Sequence, residues 1–255
     1  MKAMILAAGL GTRLRPLTDD RPKALVAVAG RTLLEMTLAR LRLFGVTEVI
    51  VNAHHFAEQI VDYLEANQNF GMRIEVSREE TLLDTGGGLK KAAWFFLEGS
   101  AATAEPFLVH NVDVLSTIDL AGMVGFHAEH DALATLAVED RESSRYLLFD
   151  EQGELSGRRA GSDAEPELIH LRENLPTQQV QALAFAGIHV LSPRIFSMLQ
   201  DEGAFPIIDA YLRLAAQSEK ILAFRADGAY WRDLGRPESL AKAARDVADG
   251  TYSGR

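Results

Sequence analysis

Short apolar segments and helical segments alternate through the first half of the chain, and this alternation constrains the fold more than any other feature. Residues 3–6 form an apolar run that ends at glycine-rich sequence, which is typical of a buried strand. Leucines at helical spacing follow in residues 33–44, and Gly45 stands where a helix would end. We therefore predict an α/β fold of three layers, α/β/α and Rossmann-like, with a mixed, mainly parallel central sheet.

The same periodicity gives bounds for further elements. Strands are predicted at 46–52, 73–76, 106–110 and 132–138, and helices at 57–66, 89–97 and 119–130. Strand character returns at 146–149, 182–191, 220–225 and 229–234.

Turn signals add detail to the second half. Asp227-Gly228 predicts a tight hairpin between the last two strands, and Pro237 begins a closing helix that ends near residue 247. Residues 151–180 are polar and aperiodic, which leaves two alternatives open, a mobile flap or an ordered surface excursion.

Composition excludes several classes of protein. The chain has 255 residues, which suits one large domain or two small ones, and its 47% hydrophobic and 24% charged residues are in the range of soluble globular proteins. Its formal net charge of -10 argues against nucleic-acid binding, which usually needs a basic face. No cysteine is present, so disulfides and cysteine-ligated metals are excluded. The N-terminal apolar run is too short for a membrane span and lacks a secretory layout, so we expect a cytoplasmic protein without a membrane partner.

Residues 6–16 follow the first predicted strand and form a loop that contains Gly9 and Gly11. Ligands bind at the carboxyl ends of parallel strands, and residues without a Cβ let backbone amides approach phosphate oxygens. Arg13 and Lys23 supply cations for the same phosphates. The loop lacks the third glycine of the dinucleotide motif and the Gly-Lys-Ser/Thr ending of a P-loop, so both of those motifs are excluded.

Longer motifs are more specific than two glycines. They are Leu-Ala-Ala-Gly-Leu-Gly-Thr-Arg-Leu-Arg-Pro-Leu-Thr at 6–18 with Pro-Lys at 22–23, Asp-Thr-Gly-Gly-Gly at 84–88, Asn-Val-Asp at 111–113, Phe-Ala-Gly-Ile at 185–188 and Trp-Arg-Asp-Leu-Gly at 231–235. With these motifs the chain resembles the sugar-1-phosphate nucleotidylyltransferases, or NDP-sugar pyrophosphorylases. Its length suits the short members, which include uridylyl- and guanylyltransferases.

The resemblance implies an activity and a cofactor. A nucleotidyl group would pass from an NTP, UTP or GTP, to a sugar 1-phosphate, with Mg²⁺ as cofactor and pyrophosphate as the second product. It also implies a single domain, 1–255, in which 1–130 is the nucleotide-binding half and 131–255 is the sugar-binding half with the closing helix. The oligomeric state stays open.

The resemblance further implies contacts for the loop. Three residues are expected to contact the base and ribose through their backbone: Leu6, Ala8 and Gly9. Three are expected to hold the β- and γ-phosphates: Gly11, Thr12 and Arg13. Lys23 would reach the α-phosphate, which makes Arg13 and Lys23 the candidate catalytic residues.

Asp113 and Asp233 match the family positions that coordinate magnesium. An aspartate at a strand end more often caps a turn or faces solvent, but Mg²⁺ prefers hard oxygen ligands, and two carboxylates meet that demand. Val112 stands where relatives usually have glycine, which puts a backbone contact with the ribose in doubt.

The segment 84–88 is expected to lie against the base. The implied contacts on this side are Glu79, Thr85, Gly86 and Gly87. A carboxylate from Glu79 or Glu80 could accept N–H groups from uracil or guanine, and this does not choose between UTP and GTP. The alternative is a turn before a helix in which the glycines only provide clearance.

Gly187 is expected to line the sugar pocket. The Glu-Lys-Pro motif whose lysine binds the sugar phosphate in many relatives is missing, and the candidates to replace that lysine are Arg145, Arg158, Arg159 and Arg172. Two other functions stay open, a cytidylyltransferase acting on phosphocholine or a similar ester, and a non-catalytic module that binds nucleotide sugars. The module would be expected to have lost Lys23 or one aspartate.

Overall fold

The structure is a computed structural model that describes residues 1–98, 105–162, 165–170 and 180–254. The described helices are α1 (Leu33–Leu43), α2 (Ala57–Ala66), α3 (Asp84–Lys91), α4 (Ala93–Phe96), α5 (Leu120–Glu129), α6 (Ile207–Ala216) and α7 (Pro237–Ala248). The described strands are β1 (Lys2–Leu6), β2 (Ala27–Val28), β3 (Arg31–Thr32), β4 (Glu48–Ala53), β5 (Arg73–Arg78), β6 (Phe107–Asn111), β7 (Val114–Ser116), β8 (Ala134–Glu139), β9 (Arg145–Phe149), β10 (Leu155–Ser162), β11 (Glu165–His170), β12 (Gln181–Leu191), β13 (Ile221–Arg225) and β14 (Trp231–Asp233).

The main sheet is mixed and has a parallel block. Strands β5, β4, β1 and β6 lie side by side in this order, all parallel. β12 follows antiparallel to β6, and β8 and β13 continue on its other side. The first part of β12 also pairs with β9, from which β10 and β11 extend the sheet. The predicted fold class is therefore confirmed.

Helices cover both faces of the sheet, because successive strand residues point to opposite sides. In β1, Ala3 and Ile5 belong to one buried core, whereas Met4 belongs to the other. Leu38 of α1 packs in the first core and Tyr211 of α6 in the second, and both are fully buried. None of the helices in the described ranges is long and apolar enough to cross a membrane.

The predicted closing helix is present as α7. Leu240 and Ala243 pack in the core that contains Ala3 and Ile5 of β1, so the end of the chain packs against its first half. α6 was not predicted, although Ile207, Tyr211 and Leu214 have helical spacing and are buried.

The predicted hairpin at Asp227-Gly228 is wrong. A turn does form, since Gly228 has a φ of 87° and Ala229 N–H donates to Ala226 O at 3.1 Å. The strands beside it do not pair with each other: β13 pairs with β8, and β14 pairs with β7. The turn residues fix the local reversal, but burial against different neighbours decides which strands pair.

Two segments differ from their predicted bounds or alternatives. The helix predicted from residue 89 begins at Asp84, so the three glycines at 86–88 lie inside α3. Within the polar stretch 151–180, β10 and β11 pair as an antiparallel hairpin, which favours an ordered excursion for that part. Residues 171–179, including Arg172, lie outside the described residues.

Candidate active site

The glycine-rich loop folds back on the segment that carries Lys23. Gly11 has a φ of 64°, a left-handed conformation that favours glycine, and its carbonyl accepts the hydroxyl of Thr18 at 2.9 Å. A Cβ at position 11 would lie 3.0 Å from Thr18 Cγ2 and 3.1 Å from Lys23 Cβ. The close approach of these two segments therefore holds Lys23 beside the loop.

A cleft of about 300 Å³ opens at the carboxyl ends of β1, β4 and β6, where a parallel sheet binds ligands. We call it the nucleotide cleft. Six of the sequence-predicted residues line it: Leu6, Ala8, Gly9, Lys23, Thr85 and Asp113. Thr12 and Arg13 lie on the exposed side of the loop, in the 3-10 helix Thr12–Leu14.

Six further residues line the same cleft: Ala7, Asn52, Leu82, Asp84, Asn111 and Val112. Asn52 and Asn111 lie at the carboxyl ends of β4 and β6, and Leu82 lies just before Asp84, the first residue of α3. The two asparagines had a signal, since each is a polar residue at the end of an apolar strand beside β1. Asp84 had one as well, since it begins the motif at 84–88 that was expected to lie against the base. Leu82 had none, because its place depends on how the segment after β5 folds back.

Asp113 and Asp233 lie side by side although they are far apart in sequence. β7 and β14 pair antiparallel with Asp233 opposite Val114, and Leu234 N–H donates to the carbonyl of Asp113 at 2.8 Å. The carboxylate of Asp113 forms an ion pair with Lys23, and these side chains are 16% and 12% exposed. Strand pairing therefore brings the main chain of Asp233 beside Asp113 and the lysine that pairs with it.

Arg13 reaches this place from the loop. A Cβ at Gly235 would lie 2.8 Å from Arg13 Nη2 and 2.7 Å from Asp233 Oδ1. Gly235 N–H donates to the same Oδ1 at 2.7 Å. The absence of a side chain at position 235 leaves room for both the Arg13 guanidinium and the Asp233 carboxylate beside it.

Glu79 does not face the nucleotide cleft. It is 4% exposed, and its two carboxylate oxygens accept from Asn52 Nδ2 at 2.7 Å and from Leu83 N–H at 2.9 Å. Glu80 is exposed. Both acceptor atoms of Glu79 are therefore occupied within the protein beneath the cleft.

Gly86 and Gly87 pack α3 against the loop before α6. Their N–H groups donate to the carbonyl of Phe205 at 2.9 and 3.3 Å. A Cβ at position 86 would lie 2.3 Å from the Phe205 ring, and one at position 87 would lie 2.3 Å from Gly203 O. Both positions thus fit the alternative interpretation of the segment 84–88, in which glycine is needed because a side chain would clash with Phe205 or Gly203.

A second cleft, of about 600 Å³, is lined by Asp233 and by three of the four candidate arginines, Arg145, Arg158 and Arg159. Because Asp113 lines the first cleft, the aspartate pair stands between the two. Arg159 lies over the Tyr146 ring at 4.7 Å, and Arg158 Nη1 donates to Asp209 Oδ1 at 2.5 Å.

Gly187 lies in β12 beside Asn111, the last residue of β6, and lines neither of the two clefts. It has a φ of 77°, and a Cβ there would lie 2.9 Å from both Asn111 Nδ2 and Val114 Cγ2. The register of β12 against β8 shifts between Phe185 and His189, at this glycine. Gly187 therefore lets β12 approach the strand end that carries Asn111.

Arg141 braces the strand that carries Asp233. Its guanidinium lies 3.7 Å from the Trp231 ring centroid, and its Nη2 donates to Phe185 O at 3.1 Å. Arg141 Nε also lies 3.2 Å from Glu139 Oε2. Burial lowers the pKa of Arg141 and raises the pKa of Glu139. Through its contacts with Trp231 and Phe185, Arg141 holds β14 against β12.

The sequence profile of the nucleotidyl transferase family matches residues 2–250. The chain belongs to this family. It is 34% identical over 252 residues to the N-acetylmuramate alpha-1-phosphate uridylyltransferase of Caulobacter vibrioides, with 97% of each chain covered. It is 30% identical over 251 residues to a probable mannose-1-phosphate guanylyltransferase of Oryza sativa subsp. japonica, covering 98% of this chain and 65% of that relative.

A solved structure of another nucleotidyl transferase has the same fold. It is a putative glucose-1-phosphate thymidylyltransferase from Bacillus anthracis, with a TM-score of 0.77 and 18% identity, covering 98% of this chain and 96% of that one. The family inferred from the five motifs is thus confirmed, and uridylyl- and guanylyltransferases are among the relatives.

Proposed function

We propose that this nucleotidyl transferase joins an NTP to a sugar 1-phosphate, releasing pyrophosphate and an NDP-sugar. The observation that carries the proposal is the placement of two cations and two carboxylates at the junction of two clefts: Lys23 pairs with Asp113, and Arg13 and Asp233 both lie beside Gly235. A reaction that joins two polyanions needs such a junction. The named activities of the Caulobacter and Oryza relatives support it.

The chemistry needs no general base. A phosphate monoester is largely dianionic near pH 7, because its second pKa is about 6. Its oxygen attacks the α-phosphorus of the NTP, the new P–O bond forms, and the bond to the leaving pyrophosphate breaks. The protein has to hold the two anions in line and to stabilise the charge that develops on the transferred and leaving groups. Lys23 in the cleft and Arg13 on the loop are the cations for that task.

Asp113 and Asp233 fit a magnesium ion. Mg²⁺ usually takes one or two carboxylates and completes its shell with phosphate oxygens and water. The described residues contain no group of three or more histidine, cysteine or carboxylate side chains that would make another metal site. When bound, the ion would neutralise phosphate charge, and these two aspartates are the residues that would hold it.

The two halves of the chain divide the substrates in this proposal. All lining residues of the nucleotide cleft come before residue 130, and all lining residues of the second cleft come after it. We therefore assign 1–130 to the nucleotide and 131–255 to the sugar phosphate, with action in the cytoplasm. Between UTP and GTP we favour UTP, because the uridylyltransferase relative matches over nearly its whole length.

A substrate matrix tests this function. Pyrophosphate release is measured with Mg²⁺ for four NTPs, each against N-acetylmuramate 1-phosphate, mannose 1-phosphate, glucose 1-phosphate and phosphocholine. We expect turnover with UTP and a sugar 1-phosphate. Turnover with CTP and phosphocholine would identify a cytidylyltransferase instead, and tight binding of NDP-sugars without pyrophosphate exchange would indicate a binding module.

A further inference from the structure

Three hydrogen bonds run in series beneath the nucleotide cleft. Ala7 N–H donates to Asn52 Oδ1 at 2.7 Å, and Asn52 Nδ2 donates to Glu79 Oε1 at 2.7 Å. Glu79 Oε2 accepts Leu83 N–H at 2.9 Å. Asn52 and Glu79 are 2% and 4% exposed. The series therefore links the start of the glycine-rich loop to Leu83, which stands between two residues that line the cleft, Leu82 and Asp84.

One peptide unit of the loop is fixed from both sides. The N–H of Ala7 is held by Asn52, and the carbonyl of Leu6 in the same peptide accepts Val112 N–H at 3.1 Å. The next glycine, Gly9, is open, with no atom within 4 Å of where its Cβ would be. The Leu6–Ala7 peptide is thus the last part of the loop before Gly9 whose orientation a side chain fixes.

The charge of Glu79 decides how the Asn52 amide is oriented. An ionised carboxylate only accepts hydrogen bonds, so the NH₂ of Asn52 must face Glu79 and its oxygen must face Ala7. The space around the pair is full, since a Cβ at Gly88 would lie 2.7 Å from both Asn52 Nδ2 and Glu79 Oε1. Glu79 is also held through its main chain, whose N–H donates to Ala53 O at 2.7 Å.

We infer that Asn52 and Glu79 are positioning residues for NTP binding: they orient the Leu6–Ala7 peptide and so preset the amides of Ala8 and Gly9. This inference rests on the proposed function, because it assigns the cleft to the NTP. A preset loop binds its ligand without first being ordered, so loss of the series weakens NTP binding. The second cleft is separate, so the KM for the sugar phosphate stays unchanged.

An exchange of the two side-chain types tests the inference. Asn52→Asp alone sets two carboxylates against each other, and Glu79→Gln alone sets an NH₂ group against a second donor. Each single change should raise the dissociation constant for UTP or GTP with Mg²⁺ about tenfold or more. The double variant Asn52→Asp/Glu79→Gln keeps the net charge. In it every donor of the series again faces an acceptor, because the new amide at position 79 can donate to the new carboxylate at position 52. The double variant should bind within about threefold of the wild type.

Calorimetry with nucleotide and Mg²⁺ but no sugar phosphate is the readout, with Glu65→Gln as the exposed control outside the cleft and thermal unfolding as the check on folding. Recovery of nucleotide binding in the double variant supports the positioning role of Asn52 and Glu79. This holds even if one of the single variants fails to fold. Wild-type affinity in both single variants, or a double variant no better than the weaker single one, overturns it. A wild type that binds UTP but turns over no sugar 1-phosphate counts against the proposed acceptor only. A wild type that binds neither nucleotide overturns both proposals.

Discussion

Lys23 and Asp113 form an ion pair inside the nucleotide cleft, and both side chains are mostly buried, with 12% and 16% exposed. The partners proposed for them are also of opposite charge, phosphate oxygens for Lys23 and a divalent cation for Asp113. The pair keeps each charge matched in the free protein, where an unpaired buried charge would be costly. Removing either member should therefore affect a different step.

Lys23→Ala should lower kcat for pyrophosphate release by about a hundredfold or more, because it removes a cation from the transferred phosphate. The fold should persist, since Asp113 keeps access to solvent. Steady-state kinetics and thermal unfolding check this, with the exposed Lys242→Ala as the control. Near-normal turnover in Lys23→Ala would remove this lysine from the mechanism.

Asp113→Asn and Asp233→Asn should each raise the Mg²⁺ concentration needed for half-maximal activity and lower the maximal rate. A neutral amide is a weaker ligand for a hard cation than a carboxylate. A Mg²⁺ titration of the initial rate measures the effect, and the exposed Asp62→Asn serves as the control. An unchanged Mg²⁺ dependence in both variants would contradict the proposed metal site.

Gly235→Ala should reduce activity without unfolding the protein. The new Cβ would lie 2.7 Å from Asp233 Oδ1 and 2.8 Å from Arg13 Nη2, so both groups would have to move away from position 235. The matched control is Gly125→Ala in α5, where nothing lies within 4 Å of the added atom. Alanine there should stabilise the helix by about 0.5–1 kcal/mol. Equal activity in both variants would show that the positions of Arg13 and Asp233 beside Gly235 are not needed for activity.

Arg159→Ala should raise the KM for the sugar 1-phosphate and leave the KM for the NTP unchanged, because Arg159 lines only the second cleft. Loss of a charge-assisted hydrogen bond predicts a change of about tenfold or more. The exposed Arg42→Ala is the control. An effect on the NTP instead would reverse the assignment of the two clefts.

Stability should fall as the pH is lowered below about 6.5, the pKa of an unfolded histidine. Burial lowers the pKa of His110 and His127 to about 4 and that of His189 to about 3. Between these values the unfolded chain binds more protons, so protonation favours unfolding as the pH falls toward 4. Stability from these groups is fully present above pH 6.5.

His189→Gln should remove its share of this dependence, about 1 kcal/mol between pH 7 and pH 5.5. Denaturant unfolding at both pH values measures it, with the exposed His55→Gln as the control. The same loss of stability in His189→Gln as in the wild type would contradict the assignment.

The site was predictable where a motif lies on one short segment. The loop with its cations Arg13 and Lys23 followed from its own segment, since a glycine-rich turn after a strand is a local structure, whereas Asp113 and Asp233 were named from the family resemblance. Glu79 and Gly86 differ from expectation because neighbours far along the chain, Asn52 among them, occupy their polar atoms. No local pattern shows such a partner.

The sequence by itself determined the α/β layers, the phosphate-binding loop and the chemistry of the candidate site, because periodicity, glycine and charge act over a few residues. Only the tertiary structure decided that β14 pairs with β7 rather than with β13. That pairing sets the main chain of Asp233 beside that of Asp113, and it depends on burial between distant segments. Contacts of this kind exist only once the sheet is assembled.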